Sequence, residues 1–227
     1  MKTRIEAHRG LHTEARENTV EAFAAAVTAG VDGVELDVRW SGDRHLVIHH
    51  DAEVEGAIVA ATAAADLPGY VPTLAQALDA LTGVCVNIEI KNIRDVSEPT
   101  YDETGQLARD VIDLLAARGW RDDCVISSFD LATCEQVHAL APDLEVGWLI
   151  WSQSFAEALE GATRAGLDAV NVNFRHLPDG GIAAAHSRGL KVNVWTVNDP
   201  ATMTRLFEAG VDTVITDDPV AALALRG

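Results

Sequence analysis

The chain has 227 residues, 48% of them hydrophobic, with 35 acidic against 17 basic side chains and a formal net charge of −18. That apolar content suits one large domain with a continuous core, and the acidic excess disfavours nucleic acid and anionic membranes, whose phosphates attract basic patches. No apolar stretch is long enough for a bilayer, and the opening Met1-Lys2-Thr3-Arg4-Ile5-Glu6 lacks the apolar run of a signal peptide, so a cytoplasmic protein without an integral membrane segment is expected.

Strand-like and helix-like runs alternate from end to end. Strands are expected at 5–8, 33–38, 84–90, 124–127, 144–149, 169–172, 192–195 and 213–216. Helical periodicity covers 19–28, 74–81, 104–117, 131–140, 155–165, 180–187, 200–209 and 220–225. Ala29-Gly30, Arg118-Gly119, Ala165-Gly166, Arg188-Gly189 and Ala209-Gly210 read as helix stops, and Asp199-Pro200 and Asp218-Pro219 as N-cap plus first-turn proline. Eight strand–helix alternations without a linker favour a (β/α)8 TIM barrel over residues 1–227 rather than an open doubly wound sheet. A short insertion separates strands 2 and 3; within it residues 40–48 suit a small hairpin and the alanine-rich stretch 57–65 a helix. Cys85, Cys124 and Cys134 form no Cys-x-x-Cys pair, which argues against a disulfide framework or zinc site and for small packing residues.

The most informative segment is Gly33-Val34-Glu35-Leu36-Asp37-Val38. Side chains alternate across a strand, so Glu35 and Asp37 share one face while Val34, Leu36 and Val38 share the other. Two adjacent carboxylates repel, and a divalent cation with oxygen ligands is the natural way to neutralise them. Val84-Cys85-Val86-Asn87-Ile88-Glu89-Ile90-Lys91 ends in a second charged same-face pair, and the first strand ends in His8-Arg9-Gly10. In a barrel of this kind the active site lies at the C-terminal ends of the strands. His8, Arg9, Glu35, Asp37, Glu89, Lys91, Ser127, Ser128 and Trp195 fall there, and the loop residues Glu17, Asn18, His50 and Asp51 can join them.

In order along the chain, His8-Arg9-Gly10, Glu17-Asn18-Thr19 with Ala22-Phe23, Gly30 and Asp32, Glu35-x-Asp37-Val38 and His50-Asp51 resemble the glycerophosphodiester phosphodiesterase family. So do Glu89-Ile90-Lys91, Ser127-Ser128-Phe129, Trp195-Thr196-Val197-Asn198 and Thr216-Asp217-Asp218-Pro219; each motif alone is weak, but the ordered set is specific. The resemblance implies a (β/α)8 barrel that uses a divalent metal to hydrolyse glycerophosphodiesters, small-molecule substrates, to glycerol 3-phosphate and an alcohol. Glu35, Asp37 and Glu89 would then hold Mg²⁺, Ca²⁺ or Mn²⁺, since oxygen-only ligands suit hard cations better than zinc. His8 and His50 would be the acid–base pair, Arg9 and Lys91 would bind phosphate oxygens, and Glu17 and Asn18, on the substrate side of the site, would orient the catalytic groups or bind the metal-side water. His49 adjoins His50, but strand alternation turns neighbours to opposite sides and the following Asp51 selects His50.

Each residue also has a plainer reading. Glu89 and Lys91 make a structural ion pair, Asn18 an N-cap for the first helix, Trp195 a core filler rather than a wall for substrate, and Asp217 and Asp218 helix caps. His12, His45, His138, His176 and His186 carry no supporting motif. Arg16 stands where the family usually has proline, and residues 52–70 replace a longer Arg-Thr-rich segment, which bears on the identity of the alcohol. A lysophospholipase D-type activity, a catalytically silent phosphate-binding barrel and a Schiff-base aldolase using Lys91 are the alternatives. The first would show an apolar rim at the mouth, and the last would need Lys91 as a free amine.

Overall fold

The computed structural model describes residues 2–94, 100–120 and 123–227. Strand β1 (Arg4–His8) leads through helix α1 (Val20–Ala29) to β2 (Gly33–Trp40). The insertion follows, with β3 (Leu46–Ile48), β4 (Glu53–Val54) and β5 (Ala57–Ile58) ahead of α2 (Leu74–Ala80) and β6 (Cys85–Ile90). Helix and strand then alternate as α3 (Gln106–Arg118), β7 (Cys124–Ser128), α4 (Leu131–Leu140), β8 (Glu145–Ile150), α5 (Phe155–Ala165) and β9 (Ala169–Asn173). The chain finishes with α6 (Gly181–His186), β10 (Lys191–Trp195), α7 (Pro200–Glu208), β11 (Thr213–Thr216) and α8 (Pro219–Arg226).

Among the described residues, eight parallel strands run β1-β2-β6-β7-β8-β9-β10-β11, and β1 pairs with both β11 and β2, which closes the sheet into the expected TIM barrel. The alternation read in β2 holds. Val34, Leu36 and Val38 are fully buried against the helix layer, where they join Phe23, Leu78, Ile88, Ile126 and Met203. Each such side chain contributes about 1.5–3 kcal/mol on full burial. The inner face is polar instead: Asn87 Nδ2 donates to Glu6 Oε2 at 2.9 Å, and Ser127 Oγ donates to Asn87 Oδ1 at 2.9 Å.

The caps set where each strand end meets the mouth. Thr19, Asp130, Ser154, Asp199 and Asp218 accept from the first turns of their helices, and Gly30, Gly119 and Gly166 end theirs in the left-handed region. Gly10 has φ +85°, and a Cβ there would lie 2.8 Å from the Ala22 backbone, so only glycine lets the chain turn this tightly from β1 onto α1.

The insertion contains the expected hairpin, with β3 antiparallel to β2 (Val38 opposite Ile48). The expected helix over 57–65 does not form. That stretch is β5 followed by 3-10 turns at Val59–Ala61 and Ala64–Asp66, neither with a side-chain cap. A segment this short cannot repay helix nucleation, and Val59 gains more by joining Val47, Val54 and Leu67 in a small satellite core. Among the described residues no helix is long and apolar enough to cross a membrane. Cys124 and Cys134 are buried free thiols and Cys85 a partly buried one.

Candidate active site

Glu35 and Asp37 lie buried within β2, in register with His8 at the end of β1 and with buried Glu89 near the end of β6, and one ligand oxygen from each carboxylate lies within 4.8 Å of the other two. The register that sets Asp37 beside Glu89 brings them together. Two cations and an amide face them. Arg9 sends its backbone N–H to Glu35 Oε2 at 3.1 Å and its Nε to within 3.3 Å of Asp37 Oδ2. Lys91 Nζ sits 2.7 Å from Glu89 Oε1 and 3.4 Å from Asp37 Oδ1. Asn18 Nδ2 donates to Asp37 Oδ2 at 2.7 Å.

The charges are unevenly served. Burial, then the like charges of Asp37 and Glu89, pushes the Glu35 carboxyl well above the usual range. Burial also works against Asp37, but Lys91 and Arg9 outweigh it and hold that carboxylate well below its ordinary range. For Lys91, burial is likewise outweighed by Glu89 and Asp37, so its ammonium is held above the usual value. Asp37 Oδ1 and Glu89 Oε1 are buried and make no hydrogen bond of good geometry among the described residues. Three carboxylates against two cations leave one negative charge, so a divalent cation with a singly charged phosphodiester balances the cluster. The oxygen-only donor set therefore fits a hard metal ion.

His8 closes β1, with Nδ1 2.6 Å from Asp217 Oδ1. Asp217 is held in turn by Asn198, whose Nδ2 donates to Asp217 Oδ2 at 2.6 Å while its Oδ1 accepts from the Asp217 amide at 2.9 Å. Burial pushes Asp217 up, but the hydrogen bond and charge of His8 and the Asn198 amide pull it to about 2. His50 Nδ1 lies 2.7 Å from Asp51 Oδ1, which is largely in solvent. With a carboxylate on each Nδ1, Nε2 is the nitrogen each ring offers to the cleft. His49 does not line the cleft; its Nε2 lies 3.3 Å from the Glu53 carbonyl oxygen, and burial lowers its pKa.

A cleft of about 740 Å³ joins these groups, with His8, Arg9, Glu35, His50, Glu89 and Lys91 at its base and Phe129, Trp151 and Trp195 as one wall. Trp151 and Trp195 stack with ring centroids 6.0 Å apart, and Phe129 stands edge-on to both. Trp195 is fixed by its Nε1 donating to the Asn171 carbonyl at 3.0 Å, whereas Trp151 is 70% exposed at the rim.

Residues 8–221 match the profile of the Glycerophosphoryl diester phosphodiesterase family. The chain belongs to this family. The enzyme class expected from the sequence, a phosphoric diester hydrolase, is the class of this family. A glycerophosphodiester phosphodiesterase from Caldanaerobacter subterraneus is 29% identical over 246 residues, covering 99% of this chain and 98% of its own. The crystal structure of a glycerophosphodiester phosphodiesterase from Thermotoga maritima superposes with a TM-score of 0.84 at 25% identity, over 100% of this chain and 99% of that one. A phosphodiesterase from Oleispira antarctica, solved with its product sn-glycerol-3-phosphate, shares the fold at a TM-score of 0.85 and 23% identity, over 98% and 96% of the two chains.

Within this family frame, two expected residues stand behind the cleft rather than on it. Glu17 Oε1 accepts from Arg9 Nη1 at 2.9 Å, and Asn18 serves Asp37. Asn18 is not the N-cap of α1; Thr19 takes that place, because Asn18 adopts φ +56° to aim its amide at Asp37. Asp218 does cap α8, but Asp217, grouped with it in the sequence, is the partner of His8. Asp217 and Trp151 directly follow β11 and β8, so the strand-end rule that selected the other residues also pointed to these two.

Proposed function

We propose that the protein hydrolyses glycerophosphodiesters to glycerol 3-phosphate and an alcohol, with Glu35, Asp37 and Glu89 holding Mg²⁺, Ca²⁺ or Mn²⁺ and His8 and His50 as acid and base. The observation that carries this reading is the meeting, in one cleft, of a buried three-carboxylate cluster with two histidines whose Nδ1 atoms are each tied to a carboxylate. A bound divalent ion would supply charge withdrawal from the phosphodiester, whose anionic oxygens otherwise repel nucleophiles. Arg9 and Lys91 bind non-bridging oxygens, and their ion pairs with Asp37 and Glu89 keep them in place before substrate arrives. One imidazole Nε2 accepts the proton of the attacking hydroxyl and the other protonates the departing alkoxide. The nucleophile is the glycerol hydroxyl next to the ester, which gains from proximity; water then opens the cyclic phosphate with the two histidines in exchanged roles.

The aromatic rim supports a second reading of the substrate. Exposed Trp151, stacked on Trp195, offers an apolar surface beside the phosphate site, as the acyl chain of a lysophospholipid requires in a lysophospholipase D-type reaction, where the acylated glycerol keeps the phosphate and the headgroup alcohol leaves. The raised Lys91 ammonium opposes the aldolase alternative, which needs the free amine.

The test is a panel of glycerophosphodiesters and lysophospholipids assayed after chelation and after return of Mg²⁺, Ca²⁺ or Mn²⁺. Glycerol 3-phosphate is expected only with metal, and metal-free protein with full activity by elemental analysis would sink the reading. Calorimetry supplies a second readout. Burial and the like charges of Asp37 and Glu89 raise the Glu35 carboxyl above its ordinary range, so protons compete with metal there, and binding heats in buffers of different ionisation enthalpy test for proton release.

A further inference from the structure

The strand that carries two of the carboxylates continues past them to Arg39, the next same-face position of β2, where only 5% of the residue is exposed. A guanidinium is seldom buried this deeply unless its N–H groups are used. Arg39 Nε lies 3.1 Å from the His49 carbonyl oxygen and 3.0 Å from that of His50, and Nη2 donates to the His50 carbonyl as well. From the other side the His49 amide donates to the Asp37 carbonyl at 3.0 Å. Strand β3 ends at Ile48, and the side-chain partner of His50, Asp51, is 74% exposed and gives the ring little fixed support. The support of His50 is therefore its backbone, and that backbone hangs from β2.

We propose that Arg39 is a positioning residue for His50. Its guanidinium grips consecutive carbonyls so that the His50 imidazole sits at a fixed distance from the carboxylates Glu35 and Asp37 on the same strand. This rests on the reading of His50 as one of the acid–base pair. One strand then acts as the ruler for both halves of the chemistry: it places Glu35 and Asp37 by its own side chains and His50 through Arg39. Arg39 does not line the main cleft, so it acts through His50 and not on the phosphate. Lysine would not replace it, because a single ammonium lacks the planar edge that meets two carbonyls.

The experiment is a double-mutant cycle on turnover of glycerophosphoethanolamine at saturating divalent metal, with wild type, Arg39→Met, His50→Ala and the double variant. Arg39→Met should lower kcat by on the order of 10–100-fold with KM changed less than about twofold, since a displacement near 1 Å costs about that much. In the His50→Ala background the same substitution should change kcat by less than about twofold, because no ring remains to misplace. An equal loss in both backgrounds would overturn the proposal while leaving the acid–base reading intact. His50→Ala with wild-type turnover would instead remove that reading, and the proposal with it. If circular dichroism shows Arg39→Met unfolded, the cycle is run with Arg39→Lys, which keeps the charge and loses the fork. An Arg39→Lys protein with wild-type kcat would also overturn the proposal.

Discussion

His8 and His50 face one cleft from supports of different kinds. His8 ends a central barrel strand, and its ring is held by Asp217, which is itself held by Asn198. His50 lies beyond the end of the edge strand β3, its ring partner Asp51 is in solvent, and its backbone is gripped by Arg39. One histidine is positioned through its ring and the other through its main chain. The barrel thus supplies a rigid half of the site, and the insertion supplies a half whose stiffness rests on a few side-chain bonds.

The largest effects should come from the rings themselves. His8→Ala and His50→Ala are each expected to lower turnover by on the order of 10²–10⁴, the usual worth of a positioned acid or base. Steady-state kinetics on glycerol 3-phosphate release measures both. A loss at one histidine alone would break the symmetry of roles while leaving the asymmetry of supports.

The partners should differ more than the rings. Asp217→Asn keeps the shape but removes the charge and one of two acceptor oxygens, leaving His8 Nδ1 and Asn198 Nδ2 to compete for the other, and a fall in kcat of on the order of 10² is expected. Asp51→Asn, at an exposed carboxylate, should cost less than about tenfold. The pH dependence sharpens the contrast. Asp217 is lowered to about 2, so its stabilising contribution is complete above the ordinary carboxylate range and is lost as pH falls toward that value. The difference in melting temperature between wild type and Asp217→Asn should therefore shrink as pH is lowered into that window. Solvent screening of the partly exposed pair keeps the difference small throughout. A difference that grows on acidification would reverse the assigned direction of the shift.

His49→Ala comes next in size. His49 hangs by a ring nitrogen 3.3 Å from the Glu53 carbonyl and does not line the cleft, so the variant should lose stability in thermal melts with kcat within a few-fold of wild type. Ranking His49 above His50 in turnover would place the wrong ring on the phosphate.

The rigid half was also the more legible half. The period-2 alternation of apolar and charged residues in β2 puts Glu35 and Asp37 on one face, and the helix stops and caps count out the barrel, because both signals act within a few residues. Asp217 reads locally as a cap, since nothing nearby joins it to His8, 209 positions away; only the closure of β1 against β11 does. Asn18 carries two local readings, and the structure drops only the capping one. A good capping residue by type, it gave that place to Thr19 because a buried carboxylate bid for its amide. Arg39 occupied the same alternation as the two carboxylates, yet its partners are main-chain carbonyls, and those carry no mark in a sequence. The insertion resisted reading for a related reason: its alanines favour helix, but the positions of Val54, Val59 and Leu67 in a satellite core decide its path.

The smallest effect should fall where the two halves touch. Arg16 belongs to the loop after β1, and its guanidinium carbon lies 4.0 Å from the ring centroid of Tyr70, in the insertion that follows His50. Tyr70 Oη donates to Glu55 Oε1 at 2.8 Å, which extends the link to the turn between β4 and β5. Proline, usual here in the family resemblance, would stiffen the loop by itself; arginine instead ties it to the opposite wall. Arg16 is exposed and Tyr70 half-buried, and near the surface such contacts are worth about 0.5–1 kcal/mol. Arg16→Ala should therefore lower the melting temperature by only about 1–4 °C in a chain of this size and leave kcat within about twofold. A tenfold fall in kcat with an unchanged melting temperature would mean that this strap, and not only Arg39, sets how His50 meets the rigid half.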